Sequence, residues 1–478
     1  MVEVTLPQPP APTTLGELRA RGVTAKSVKA EIRDNLVARL ASGEPAWPGI
    51  VGFDDTVLPQ VERALLAGHD LVLLGERGQG KTRLARSIVG LLDEWTPVVE
   101  GSELNEHPMA PVTVGTARRL LAEGDALPVT WRHRSERYGE KLATPDTSVG
   151  DLIGDVDPVK VAEGRTLGDP ETVHYGLVPR TNRGVFVVNE LPDLAERIQV
   201  ALFNVLEERD VQVRGYNLRL PLDLLVVASA NPEDYTNRGR IVTPLKDRFG
   251  AEVRTHYPLR LADELDLLRQ EALIRWEGQP LGAPVLPEFL LEVVARFTRH
   301  VRESPQVDQR SGVSARFAVA AAETVAAAAV RRAAVTGEKD AVARVVDLTS
   351  VVPAVRGKVE FDAVGAVEEG REVEVLHHLL RRATADAFRA RLAGSDLSGL
   401  QQRVETGAPI ETGELVTAVD LLASAGQVPG LGAVLSRLGI EAESPGLAAS
   451  ALEFALEGLY LNRRVSKDDV DGKTVYGG

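Results

Sequence analysis

The residues best equipped for chemistry are Gly75-Glu76-Arg77-Gly78-Gln79-Gly80-Lys81-Thr82, which fit the pattern G-x-x-x-x-G-K-[ST]. The glycines let successive backbone N–H groups turn inward as a nest for phosphate oxygens. Lys81 can then reach the β- and γ-phosphates of a nucleoside triphosphate, and Thr82 can place its hydroxyl on Mg²⁺. The surroundings agree. Asp70-Leu-Val-Leu-Leu74 reads as a buried strand before the loop, and Leu84, Ile88 and Leu91 mark a helix after it. The start of that helix adds partial positive charge. Gly75 to Thr82, with Arg83 following, is the candidate ATP-binding segment, and its ordinary alternative is a Gly-rich turn.

Phosphoryl transfer also needs an acidic pair at the end of another strand, one member for Mg²⁺ and one to polarise the attacking water. Gly184-Val-Phe-Val-Val-Asn189-Glu190-Leu191 fits, with Asn189 where an aspartate is expected. Glu190 is the candidate base. Asn189 offers a carbonyl oxygen without charge, enough to hold a Mg²⁺-bound water more weakly, so slow hydrolysis is expected. The candidate metal set is Thr82, Asn189 and Glu190. Asn189 equally suits the N-cap of a helix over Leu194–Glu207. Leu224-Leu-Val-Val-Ala-Ser229-Ala-Asn231 is a further strand, and ligands of open α/β sheets gather at such carboxyl ends. Asn231 is therefore placed to orient the lytic water, or is simply a turn residue before Pro232.

Elements must hold these groups in place. Short apolar strands alternate with helical patterns from Ile50 to about Leu259, the signature of an α/β domain with a parallel sheet. Helical patterning dominates beyond Arg260, around Ala318–Ala334, Val373–Leu392 and Glu414–Arg464. The expected division is residues 1–48 (tail and short helices), 49–259 (α/β nucleotide-binding domain), 260–393 (helical lid and extension) and 394–478 (C-terminal helices). Met1–Thr13, Pro-rich, and Ser466–Gly478 read as disordered or frayed ends. Arg132-His-Arg134 with Arg137 reads as a basic cluster in a loop.

Composition narrows the function class. The chain has no cysteine, which removes disulfides and thiolate chemistry and suits a reducing compartment. Its net charge of −14 argues against whole-surface attraction to nucleic acid or anionic lipid. The most apolar tract, Phe317–Val330, is broken by Glu323 and Thr324 and falls short of a membrane span. With no basic, apolar leader pattern at the N-terminus, a cytoplasmic protein is expected.

Together these motifs resemble the AAA+ superfamily, and within it the MoxR and magnesium-chelatase motor-subunit (ChlI-like) branch. The resemblance implies a P-loop AAA+ core, a parallel sheet between helices, followed by a helical lid. It makes Gly75–Thr82 Walker A, Val185–Glu190 Walker B and Asn231 sensor 1. Pro244-Leu-Lys-Asp247-Arg248-Phe249 matches the family's L-D-R-F run, so Arg248 is the implied arginine finger, its alternative an ion pair with Asp247 or Glu252. Gly312-Val-Ser314-Ala-Arg316 resembles the sensor 2 segment, with Arg316 on nucleotide phosphate and Arg310 as its competitor. Residues 151–183 fall where the branch carries its helix-2 insert, and Val211–Leu220 reads as its hairpin before sensor 1. The likeness implies a homo-oligomer, a hexameric ring, that hydrolyses ATP to remodel a separate protein partner, one with an integrin-like (VWA) domain. A magnesium-chelatase motor, an ATP-gated scaffold with weak hydrolysis and a transcription regulator are the alternatives. No G-A-F-T-G-A loop is present, which counts against the last.

Overall fold

The computed structural model describes residues 7–157, 172–207, 220–231, 241–274, 282–308, 311–361, 371–440, 444–470 and 473–477, with the backbone of 211–213 and 216–218 and the isolated positions 159, 162 and 276. Two compact units divide the chain, Met1–His256 and Tyr257–Gly478.

In the first unit five strands make one parallel sheet: β1 (Leu71–Leu74), β2 (Tyr138–Leu142), β3 (Gly184–Asn189), β4 (Leu224–Ala230) and β5 (Ala251–Arg254), in spatial order β5-β1-β4-β3-β2. Every residue of the three central strands is buried, as expected where helices cover both faces. The outer strands β2 and β5 are only partly buried. Side-chain alternation sorts the core into two layers. Leu71, Leu73, Val185, Val187, Leu225 and Val227 pack with helices α1 (Val28–Ser42), Leu58–Leu66 and α2 (Lys81–Ser87). Val72, Leu74, Phe186, Val188, Val226 and Ala228 pack with α3 (Glu196–Glu207) and Leu245. Because all five strands run the same way, their carboxyl ends open onto one side of the sheet.

Within 151–183 the described part is a two-stranded antiparallel pair, Gly154–Val156 with Val173–Tyr175, and the short helix Leu177–Arg180. Glu163-Gly-Arg165 lies outside the described residues. Val211–Val213 and Tyr216–Leu218 do pair antiparallel, Val211 opposite Leu218.

Three expectations are corrected. Arg137 is no member of a loop cluster: it is 2% exposed and grips Glu31 with two bonds of 2.6 and 2.7 Å. The end of the Pro-rich stretch is pinned, since Pro12 and Thr13 carbonyls accept from Trp131 (2.7 Å) and Val129 (2.8 Å). The C-terminus is not frayed. Ser466–Val470 and Lys473–Gly477 form an antiparallel hairpin that Ile410–Thr412 completes as a three-stranded sheet.

The second unit is built on a helical core, with Glu288–Glu303, Ala315–Thr336, Arg371–Leu392 and Pro445–Leu461 contributing most of its buried side chains. Phe454 packs against Phe289 and Phe388, ring centroids 4.8 and 6.1 Å apart. Tyr476 is buried in the same core and its hydroxyl donates to Glu457, which also takes Lys467 at 2.8 Å. Those contacts hold the terminal hairpin down.

Candidate nucleotide-binding site

Four residues, three of them polar, each stand one position beyond a strand at the carboxyl end of the sheet: Gly75, Glu190, Asn231 and Thr255 follow β1, β3, β4 and β5. Gly78 and Gly80 take φ of 75°, the left-handed region that glycine enters without strain. A side chain at Gly75 would meet Thr255 Oγ1 at 2.0 Å and Gln79 Oε1 at 2.3 Å, so the loop closes only around glycine. Gln79 Oε1 accepts from the Glu76 amide and the Thr255 hydroxyl, both at 3.0 Å, and fixes the loop on β5. A cleft of about 280 Å³ is lined by Gly75, Glu76, Gln79, Lys246, Arg254 and Thr255. Arg77 and Arg83 are exposed beside it in sequence.

Lys81 is 7% exposed. Its ammonium donates to the carbonyls of Gly75 and Glu76, the latter at 2.9 Å, and to Asn231 Oδ1 at 2.7 Å. Asn231 Nδ2 in turn donates to Glu190 Oε2 at 2.9 Å. One asparagine therefore bridges the lysine of the loop and the carboxylate of β3. Glu190 has φ of 55°, a left-handed conformation unusual for a non-glycine residue, and its amide is held by Ser229 Oγ at 3.3 Å. This bend turns the chain out of β3 right after Asn189.

Asn189 does not cap a helix. The helix after it starts only at Glu196, beyond the 3₁₀ turn Leu191–Asp193, and the Asn189 side chain points into the site. Its Oδ1 accepts from Ser229 Oγ (3.1 Å) and Thr82 Oγ1 (3.4 Å), and its Nδ2 donates to Glu140 Oε1 (2.6 Å). The other Glu140 oxygen takes the Tyr138 hydroxyl and Arg86 Nε, both at 2.8 Å. Burial, with Glu140 beside it, pushes the Tyr138 phenol well above its usual range, so it remains a donor. The oxygens assembled here, from a hydroxyl, an amide and carboxylates, are the hard donors that Mg²⁺ takes. Thr82, Asn189 and Glu190 thus fit a magnesium ion chemically.

Glu140 and Ser229 were not legible as site residues. Ser229 carries a signal, being polar in an otherwise apolar strand. Glu140 carries none, because β2 is too polar to read as a strand.

Arg248 closes α4 (Thr243–Arg248) and lies away from these groups on the first unit's own surface. It binds Glu207 at 2.7 Å and Asp247 at 3.5 Å, with its guanidinium 4.7 Å from the Phe203 ring centroid. Its Nε is buried without a hydrogen-bond partner among the described residues. Glu252, the other foreseen partner, binds Lys246 instead at 3.2 Å. Arg316 is exposed in the first turn of Ala315–Thr336 in the second unit, and Arg310 lies outside the described residues.

Comparison with known proteins points the same way. A family model described as the sigma-54 interaction domain matches residues 165–247. The magnesium-chelatase subunit ChlI of Guillardia theta is 28% identical over 190 residues, 39% of this chain and 50% of that protein. The chloroplastic magnesium-chelatase subunit ChlI-1 of Arabidopsis thaliana is 28% identical over 222 residues, 44% of this chain and 48% of its own. Over those residues the chain is similar to ChlI-type AAA+ proteins. It spans about half the length of the curated relatives it matches. Among solved structures, a chain of the cryo-EM-based complex between subunits BchI and BchD of magnesium chelatase aligns at 21% identity and a TM-score of 0.34, covering 68% of this chain and 97% of that one. The parallel five-stranded sheet and the loop after β1 agree with the P-loop AAA+ core expected from the sequence. Among the described residues no helix is long and apolar enough to cross a membrane.

Proposed function

We propose that this chain binds ATP with Mg²⁺ at the carboxyl end of the sheet and hydrolyses it as part of a homo-oligomeric ring, hexameric as in the resemblance, that remodels a separate cytoplasmic protein. The observation that carries the reading is the hydrogen-bonded run Lys81–Asn231–Glu190 beside Thr82 and Asn189.

Lys81 exchanges its loop carbonyls for phosphate oxygens, which the turned-in amides of residues 75–82 also bind. Glu190 takes the proton of the attacking water, and Asn231 holds Glu190 in position through the bond already formed. Mg²⁺, when bound, neutralises charge on the β- and γ-phosphate oxygens. Arg248 leaves Glu207 to serve a neighbouring subunit's γ-phosphate. The bridge it gives up is a surface one, worth about 0–1 kcal/mol, so the move is inexpensive. Arg316 is assigned to nucleotide phosphate as sensor 2. The partner carries an integrin-like (VWA) domain in this reading.

The similarity to ChlI subunits favours one second reading, a motor for magnesium insertion into a porphyrin, for which the large chelatase subunit would be the partner.

Steady-state phosphate release against protein concentration tests the proposal. Specific activity should rise with concentration, and Glu190→Gln and Arg248→Ala should each abolish it. Wild type turning over no faster than Glu190→Gln would replace the motor with an ATP-gated scaffold.

A further inference from the structure

Asn189 leaves the proposed metal site one charge short, and the structure supplies a carboxylate one hydrogen bond away. Glu140 lies on β2, where Leu142 pairs with Asn189 and Glu140 with Val187, so Glu140 reaches Asn189 diagonally across the same face of the sheet. A carboxylate only accepts, and an amide has two N–H donors on one side and an acceptor on the other. The 2.6 Å contact with Glu140 Oε1 therefore fixes which way Asn189 faces: nitrogen toward Glu140, oxygen toward the hydroxyls of Thr82 and Ser229. Glu140 is itself clamped, its second oxygen held by Tyr138 and by Arg86, one turn after Thr82 on α2. Charge-assisted bonds of this kind are about twice as strong as neutral ones, and they polarise the amide so that its oxygen becomes more negative.

We infer that Glu140 is a positioning residue for the metal: it orients Asn189 and supplies, through the amide, the negative charge that a carboxylate at position 189 would have carried directly. The inference rests on the ATP-Mg²⁺ reading of the site. A purely structural Glu140 would serve only to anchor Arg86 and Tyr138, and magnesium dependence separates the two roles.

The experiment is a Mg²⁺ titration of the binding of a methylanthraniloyl-labelled ATP to the full chain, followed by fluorescence, with thermal melts as a folding control. Removing an outer-shell partner of a metal ligand typically weakens metal affinity about 10–100-fold. Glu140→Gln should raise the half-saturating Mg²⁺ concentration by about tenfold or more on that scale and leave Mg²⁺-free binding unchanged. Glu140→Gln with Asn189→Asp restores one carboxylate and one amide in reversed order, and should return the midpoint most of the way to wild type. Arg86→Met, which removes the cationic anchor and keeps the Glu140 carboxylate, should not raise the midpoint. An unchanged midpoint in folded Glu140→Gln, or a double variant no better than Glu140→Gln, overturns the inference. Wild type that fails to bind the labelled ATP under any condition would bring down the nucleotide reading itself, a result distinct from all of these.

Discussion

The two ends of the five-stranded sheet use polar residues in opposite ways. At the amino end Asp70, Arg137, Arg183 and Asp223 each precede a strand, and they tie distant segments together. Asp70 accepts from the Val226 amide (2.9 Å) and pairs with Lys29 (2.9 Å); Asp223 accepts from the Val28 amide (2.8 Å). Arg137 holds Glu31 of α1 and the Arg183 carbonyl, and Arg183 holds Pro97 and Thr96. Burial, with Arg137 nearby, lowers the Arg183 guanidinium to about 10. At the carboxyl end the polar groups bind chiefly one another, Lys81 to Asn231 to Glu190 and Thr82 to Asn189 to Glu140. At the amino end each of the four residues has a backbone partner far away in the chain beside any side-chain partner, and those ties hold the fold. Groups tied to other side chains can trade partners when a ligand arrives.

Substitutions at the two ends should therefore fail differently, and the largest effect is expected at the carboxyl end. Glu190→Gln at the carboxyl end should slow hydrolysis by about 10²–10⁴-fold, the scale of a general base, and Arg248→Ala, on the surface away from that end, by about 10³-fold or more, the scale of an arginine finger, both with melting temperatures close to wild type. A large fall in stability in either variant would blur the distinction between the ends. Next comes Arg137→Met, which strands Glu31 as an unpaired buried charge and should cost about 3–5 kcal/mol in urea unfolding. Adding Glu31→Leu removes the stranded charge and should recover most of that loss. Nucleotide affinity of the folded protein should be unchanged in both, and a selective loss of affinity would break the comparison.

The smallest effect concerns pH at the amino end. His107 is buried near Arg183, and burial chiefly, then Arg183, lowers it from 6.5 to about 3. The unfolded chain binds a proton below 6.5 that the folded chain refuses until about pH 3. Its stabilising contribution is complete above pH 6.5 and declines as pH falls from there toward 3, by up to about 1.4 kcal/mol per pH unit. His107→Gln should flatten that limb in chemical unfolding measured between pH 7 and 5, and an unaltered limb would show that His107 is not its source.

How much of this was legible in the sequence follows the same division. The phosphate loop, β1, β3 and β4 declare themselves because a fully buried parallel strand is a continuous apolar run and the loop chemistry is local. The strand β2 is partly exposed and polar, so Glu140 was invisible although it touches Asn189. Arg137 looked like a surface charge because its partner, Glu31, lies more than a hundred residues away in the chain. Asn189 appeared able to cap a helix until Glu190 proved left-handed and the helix began later. The sequence signal for the C-terminal hairpin is weak: Asp471-Gly472 is a dipeptide favoured in hairpin turns, but short, charged stretches with little apolar alternation flank it. What holds that hairpin is tertiary, Tyr476 and Lys467 on Glu457.

The central claim is that the carboxyl end of this sheet is where ATP-Mg²⁺ binds. Calorimetric titration of ATP-Mg²⁺ into wild type and Lys81→Ala, each checked for an intact melting transition, tests it most directly. Saturable binding to wild type with one ATP per chain, and its loss in a Lys81→Ala protein that still folds, is the expected result. Equal binding by the two proteins would contradict it.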